Sequence, residues 1–455
     1  MKGSVLTIDN RGRRSDGISA AYEYLANSPL VSQITFRSNS VSAMTTTKQY
    51  DYLNRLLRIS SLPAADSAVS FDYLYNEANQ RTRRTDPDSS YWLYEYDKLG
   101  QLTSGKHYWP DGTPVAGQQF EYAYDDIGNR TSTKEGGDAT GAGLRSATYG
   151  ANALNQYTNR TVPGAADIIG IAHANGTVTV NDQSTSRKGE YFWKELSINN
   201  AGAAIWQSVT NIAWLTGTTN TNTGSIFLSK TPEVFSHDPD GNLTNDGRFF
   251  YTWDAENRLL KAESLSTSPT ASKRKVEWTF DAKGRRVRQT TSDGSSGSYM
   301  VTEDLKFFHD GWQCLAELNA TNSTVIRTYL WGLDLSGSMT GAGGVGGLLV
   351  VSTLNTTPST HFAAYDGNGN AVALVTSSGT KSATYTTPSA GASAIQAPSP
   401  AKIAMALPRN APTSRTILLC TSTGPTIRPP ANGSVAIRFK KWQASTSTAF
   451  FITKR

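Results

Sequence analysis

Gly341, Gly343 and Gly346, in the stretch "LSGSMTGAGGVGGLLVV" from Leu335 to Val351, fit the G-x-G-x-x-G spacing of a dinucleotide-phosphate loop. Asp366 lies 20 residues past the last of them, where a ribose-binding carboxylate would stand. Such a loop follows an apolar strand and opens a helix whose first N–H groups hold the pyrophosphate. Here "LWGLDLSGSMT" precedes Gly341, while "LLVVSTL" after Gly347 favours a strand and soon reaches Thr and Pro. The strand-to-helix context is missing, and no cofactor is expected.

Metal chemistry fares no better. "DPDGNLTND" from Asp238 spaces oxygen ligands suitably for Ca²⁺, but an EF-hand needs Gly at its sixth place and an acid at its twelfth; Leu243 and Phe249 stand there. "DGNGNA" from Asp366 has Ala371 at the sixth place. Both read as turns. His107, His173, His237, His309 and His361 are scattered, and Cys314 and Cys420 are the only cysteines. Neither set has the spacing of a metal site or a disulfide framework. No catalytic residue and no metal ligand is expected.

What recurs is a hairpin signature. "YDYLNRLLRI" begins at Tyr50, "FDYLYNEANQRTRRT" at Phe71, "YEYDKLGQLTS" at Tyr94 and "YAYDDIGNRTS" at Tyr122. "FSHDPDGNLTN", "YTWDAENRLLKA", "WTFDAKGRRVRQT" and "YDGNGNAVALV" resume it from Phe235, Tyr251, Trp278 and Tyr365. The unit is an aromatic and Asp, a Gly or Asn three residues on, then a polar or basic residue leading into an aliphatic or Thr. Its members are Tyr50 and Asp51; Asp72; Tyr96, Asp97 and Gly100; Tyr124, Asp125 and Gly128; Trp253, Asp254 and Asn257; Phe280, Asp281 and Gly284; and Tyr365, Asp366 and Gly369. Aromatics two apart cover one strand face, the Asp accepts turn N–H groups, and Gly or Asn supplies positive φ. Asp51, Asp72, Asp97 and Asp125 are 21, 25 and 28 residues apart, room for two strands and their connections. Hairpins of this kind must pair edge to edge, giving a long wound sheet.

Composition agrees with an all-β chain: 455 residues hold 20 Tyr, 15 Phe, 10 Trp and 39 Gly. A net charge of +6 without dense basic patches gives no specific nucleic-acid partner. No run approaches the length of a transmembrane segment, and "MKGSVLTIDNRGRRSDG" has no apolar stretch of signal-peptide length.

The series resembles the YD-repeat, or RHS-repeat, proteins, and its second half is similar to the RHS repeat-associated core. "YDKLGQL", "YDDIGNRT", "WDAENRLL" and "FDAKGRRV" carry the resemblance, followed by "RTYLWGLDLSGSMTGAGGVGGLLVV" with Tyr329, Trp331, Gly332, Gly341, Gly343, Gly344, Gly346 and Gly347 as the core motif. It implies YD-repeat hairpins forming a wound β-sheet, part of a hollow, teneurin-like shell, in which Trp331 to Leu349 crosses or lines the shell with Leu348, Leu349 and Val350 packed inside. The implied role is a non-enzymatic scaffold, a fragment of a bacterial polymorphic-toxin or cell-surface protein, secreted or at the cell surface. Its implied partner is a C-terminal toxin cargo outside this chain, or a cell-surface glycan or protein. The alternative is a carbohydrate- or protein-binding adhesion module. The self-cleaving boundary of toxin-bearing relatives has no counterpart after Tyr385, so no catalytic residue is carried over.

Five regions are expected: an N-terminal partial repeat region (1–49), YD repeats (50–157), an inserted small β domain (158–231), YD repeats with the core (232–385), and a tail (386–455). In the insert, Phe192, Trp193 and Trp206 are contact candidates that are more simply read as core. The tail has no Asp, Glu, His or Tyr and is rich in Ala, Pro, Ser and Thr. Codons for "TTPSA", Thr386 to Ala390, read one base earlier, can give "YDAFG", so a frameshift or truncation followed by a disordered tail is expected.

Overall fold

The computed structural model describes residues 17–354, 357–386 and 394–396. Apart from Thr386 and the strand Ala394–Gln396, the tail expected from 386 onward lies outside them. Among the described residues the only helix is the single 3₁₀ turn Thr270–Ser272, and none is long and apolar enough to cross a membrane.

Local chemistry sets the architecture. Strands of alternating apolar and polar residues are joined by short Asp/Asn/Gly turns, so successive strands of the repeat region pair antiparallel with their sequence neighbours. The result is two long meanders. The first runs from Ile18–Tyr24 through Tyr157–Arg160 and ends on Glu233–Val234, and the second runs from Ser236–His237 to Ala394–Gln396. One residue separates them: Phe235 donates its backbone N–H to Thr158 O at 2.8 Å. The repeats therefore continue from one meander into the next across the insertion.

Between Tyr157–Arg160 and Glu233–Val234 the chain leaves to form two smaller sheets. One pairs Ala165–Ile171, Tyr191–Ser197 and Ser186–Lys188; the other pairs Gln183–Ser184, Thr177–Val180, Ile205–Leu215 and Thr218–Leu228. Ile168, Val180, Phe192, Val209 and Leu228 build a core of their own between them.

The largest core lies where the beginning of the repeat region meets its end. Phe36, Met44, Ile59, Phe71 and Tyr73 of the first strands pack on Leu349, Val350, Phe362 and Val375 of the last. The Phe36 and Phe362 rings are 5.4 Å apart. Burying each such side chain contributes about 2–3 kcal/mol. Polar ties reinforce the seam: Ala65 N donates to Gly379 O at 2.9 Å, and Lys381 Nζ lies 3.1 Å from Asp66. The wound sheet thus closes on itself face to face.

Candidate functional site

The recurring geometry of the turn emerges from its first residue. Asp97 N donates to Gln101 O at 2.9 Å, Gly100 N donates to Asp97 O at 3.0 Å, and Gly100 takes φ +78°. This is a type I turn closed by a left-handed residue and a bulge, the form a three-residue hairpin loop adopts. Asp97 Oδ1 accepts from Leu99 N and Gln101 N at 2.9 and 2.8 Å. The same Oδ1 pair of contacts recurs at Asp51, Asp125, Asp254, Asp281 and Asp366. Gly128, Gly284 and Gly369 have positive φ at the fourth place, and Asn54 and Asn257 do the same work.

The fifth residue occupies the other carboxylate oxygen. Arg55, Arg258 and Arg285 donate Nε to Oδ2 of Asp51, Asp254 and Asp281 at 2.6–2.7 Å. Asn129 and Asn370 donate Nδ2 to Asp125 and Asp366 at 2.9 Å. Several then reach the next turn: Arg55 Nη1 meets Asn79 Oδ1 at 3.0 Å, Asn242 meets Asn257 at 2.7 Å, and Arg258 Nη1 meets Asp281 O at 3.2 Å. For Asp254, partial burial pushes the carboxyl pKa up, but bonds from the Arg258 N–H and guanidinium outweigh it and hold the group below its ordinary range. Asp51, Asp125, Asp254, Asp281 and Asp366 are thus bonded through both carboxylate oxygens within their own turns.

The aromatic before the Asp has a polar task as well. Tyr50, Tyr75, Tyr96, Tyr124 and Tyr365 donate their hydroxyls to Val31, Leu56, Arg81, Leu102 and Leu348 oxygens at 2.7–3.1 Å. Each acceptor opens an earlier strand. Trp253 Nε1 makes the equivalent bond to Leu243 O at 2.8 Å, whereas Phe280 has no donor and instead packs under the Arg258 guanidinium.

Asp72 is a correction. It lies inside the strand Val69–Tyr75, where its carboxylate pairs with Arg58 at 3.0 Å. The turn of that unit begins at Asn76: Asn76 N bonds Gln80 O, and Asn79 takes φ +59°. Tyr75 and Asn76 fill the aromatic and Asp places, and the dipeptide Phe71-Asp72 imitates them four residues early.

The glycine run is an anion cradle with its anion built in. It follows the strand Val325–Trp331 as a succession of turns and leads into Leu348–Thr353, so no helix N-terminus is formed. Asp334 Oδ2 accepts from Ala342 N and Gly344 N at 2.6 and 3.1 Å, and Oδ1 accepts from Ser336 N and Oγ at 2.9 and 2.5 Å. Burial raises the Asp334 pKa, but the bonds from Ser336, Gly344 and Ala342 prevail and the group stays ionised. Gly343, Gly344 and Gly346 have positive φ, and Gly341 donates N–H to Ser338 Oγ at 2.8 Å. Gly332 N donates to Gly347 O at 2.7 Å and closes the loop's base. Trp331 Nε1 donates to Cys314 O, and Tyr329 OH to Glu317 Oε1, at 2.7 and 2.6 Å. Leu349 and Val350 are buried and Leu348 is half-buried. Asp366 belongs to its own turn, and Gly367 N donates to Tyr73 OH at 2.6 Å across the seam. Asp334 was signalled only as an acid two residues ahead of Ser336 in "LDLSG".

Among the described residues no three His, Cys, Asp or Glu groups gather as a metal site. His107 is buried, stacked 4.6 Å from Trp92, and bonded to Gln118 and Ser90 at 2.9 Å. Burial holds its pKa down to about 4. His361 is bracketed by Ser359 and Ser382 hydroxyls at 3.0 and 2.8 Å. In the insert, Phe192 is fully buried and Trp206 half-buried, while Trp193 donates to Asp167 Oδ1 at 2.8 Å.

The RHS repeat family model matches residues 75–114, the stretch holding Tyr75, the Asn76 turn, Tyr96 and the Asp97 turn. Those residues carry an RHS repeat. The chain is 31% identical over 155 residues to the tRNA3(Ser)-specific nuclease WapA of Bacillus spizizenii, covering 34% of the chain and 5% of that protein. It is 34% identical over 102 residues to the tRNA nuclease WapA of Bacillus subtilis, covering 22% and 4%. The chain spans no more than 5% of the length of these curated relatives. The crystal structure of TcdB2-TccC3-Cdc42 overlaps it with a TM-score of 0.36 at 12% identity, covering 87% of this chain and 19% of that one.

Proposed function

We propose that this chain is a non-enzymatic scaffold segment of an RHS/YD-repeat shell belonging to a polymorphic toxin system, acting outside the cell or at its surface and handling a toxin cargo. The observation that carries the reading is the commitment of the turn carboxylates: each aspartate of the row accepts N–H bonds from its own turn. The regions 50–157 and 232–385 supply the sheet. The insert 158–231 is tied to that sheet where Tyr191 OH donates to Ala116 O at 2.6 Å and Arg145 pairs with Asp167 and Glu195.

Because the WapA relatives are named tRNA nucleases, the test is incubation of the purified full chain with tRNA. Intact tRNA is the expected result. Cleavage that is lost in Asp97→Asn or Asp334→Asn would overturn the scaffold reading. A glycan-binding role has one observation of its own, the 52% exposed Trp214 flanked in register by Thr177 and Thr219. A glycan array with wild type and Trp214→Ala tests it.

A further inference from the structure

The strand Thr218–Leu228 is an unprotected edge. It is the outermost strand of its sheet and pairs with Ile205–Leu215 through eleven consecutive residues without a bulge. Among the described residues no other strand meets its outer side. Its sequence, TTNTNTGSIFL, holds no charge and no proline. Proteins ordinarily blunt such edges with charges, prolines, bulges or shortness. Other edges here show those devices: Ser186–Lys188 is three residues with Arg187 and Lys188, Gln183–Ser184 is two residues, Ala165–Ile171 carries Asp167, and Ile18–Tyr24 carries Glu23 and a register shift.

We propose that this edge pairs antiparallel with the same edge of a second copy of the chain, on a two-fold axis at Thr221. An isologous contact requires a patch complementary to itself. Thr219-Asn220-Thr221-Asn222-Thr223 reads the same in both directions about Thr221. The two-fold sets Thr219 opposite Thr223, Asn220 opposite Asn222 and Thr221 opposite its own copy. Cross-strand Thr pairs are favourable, and no like charges face each other. Thr219, Thr221 and Thr223 are exposed, and Asn220 and Asn222 half-buried, so the edge is reached without unfolding. Half of the strand's backbone groups point away from Ile205–Leu215, as in any edge strand, and the second copy satisfies them.

Sedimentation equilibrium of the full chain up to about 200 μM suits a contact this small. Wild type is expected to form dimers. Thr221→Lys and Thr221→Glu, each placing like charges across the axis, are expected to weaken dimerisation at least tenfold when alone. Mixed in equal amounts, they are expected to associate again as a heterodimer, which a folding defect in either variant could not produce. A wild type that stays monomeric throughout, a dimer indifferent to Thr221→Lys, or a mixture that fails to recover would each overturn the proposal.

Discussion

The hydroxyl of Tyr96 donates to the carbonyl oxygen of Arg81 at 2.8 Å, tying the end of one hairpin's first strand to the start of the previous hairpin's return strand. The contact recurs along the row, so each hairpin positions the next. Removing the hydroxyl leaves a part-buried carbonyl short of a donor, at a cost of about 1 kcal/mol. Tyr96→Phe and Tyr124→Phe should each lower the unfolding free energy by that amount, read as a lower urea midpoint at unchanged slope. Phe280, which lacks the hydroxyl, supplies the converse test: Phe280→Tyr should stabilise the chain by up to about 1 kcal/mol. Equal stability of all three variants and wild type would show that the bond contributes nothing.

The sequence displayed the strands and the turn chemistry because both are local. Period-two aromatics, Asp97 with Gly100, and Leu102 at the start of the return strand all lie within a few residues. It mislocated one turn for the same reason: Phe71-Asp72 carries the right dipeptide, but only the pairing of Tyr75 with Arg81 shows that the strand continues. The roles of Tyr hydroxyls and of Arg55 or Arg258 were illegible, since their partners lie 15 to 24 residues away on neighbouring hairpins. Longer still is the seam, where Tyr73 meets Gly367 across 294 residues and no local pattern announces it.

Asp334 acts as the glycine loop's own anion, and its removal should behave like loss of a bound ligand. Asp334→Ala strands the Ala342 and Gly344 N–H groups and should destabilise the chain by about 3 kcal/mol. Formate, a carboxylate small enough for the vacated space, should restore part of that loss in a concentration-dependent way, while leaving wild type unmoved. Thermal melts in formate against chloride at equal ionic strength provide the check. No difference between the two salts would mean that the loop holds its shape without an anion.

His107 makes stability depend on pH. Buried beside Arg84, with Asp86 3.8 Å away and Gln118, Ser90 and Trp92 around it, its pKa falls from 6.5 to about 4. The unfolded chain therefore binds a proton that the folded chain refuses. The neutral imidazole's contribution is fully present above pH 6.5 and is lost as pH falls towards 4, amounting to about 3 kcal/mol. His361 and His309, also lowered by burial, act in the same direction. His107→Gln should flatten the stability curve by close to one proton at pH 5. If the unfolding free energies of His107→Gln at pH 5 and pH 7, read by chemical denaturation, differ by as much as those of wild type, His107 is not the cause.

Arg145 joins the insert to the repeat sheet through Asp167 and Glu195, and the Asp167 side chain is 1% exposed. Taking one partner from a buried pair costs more than the pair contributes, because the remaining charge stays desolvated. Asp167→Ala should therefore destabilise by about 3–5 kcal/mol. It also removes the acceptor of Trp193 Nε1. Replacing both ends, as Arg145→Met with Asp167→Leu, should recover much of the loss, since the charge then left without its partner is Glu195, whose side chain is 35% exposed rather than buried. The comparison that decides is a double-mutant cycle read by hydrogen exchange. Loss confined to residues 165–197 in Asp167→Ala, reversed in the double variant, is the expected pattern, and uniform loss across the whole sheet would show that the insert and the repeats unfold as one unit.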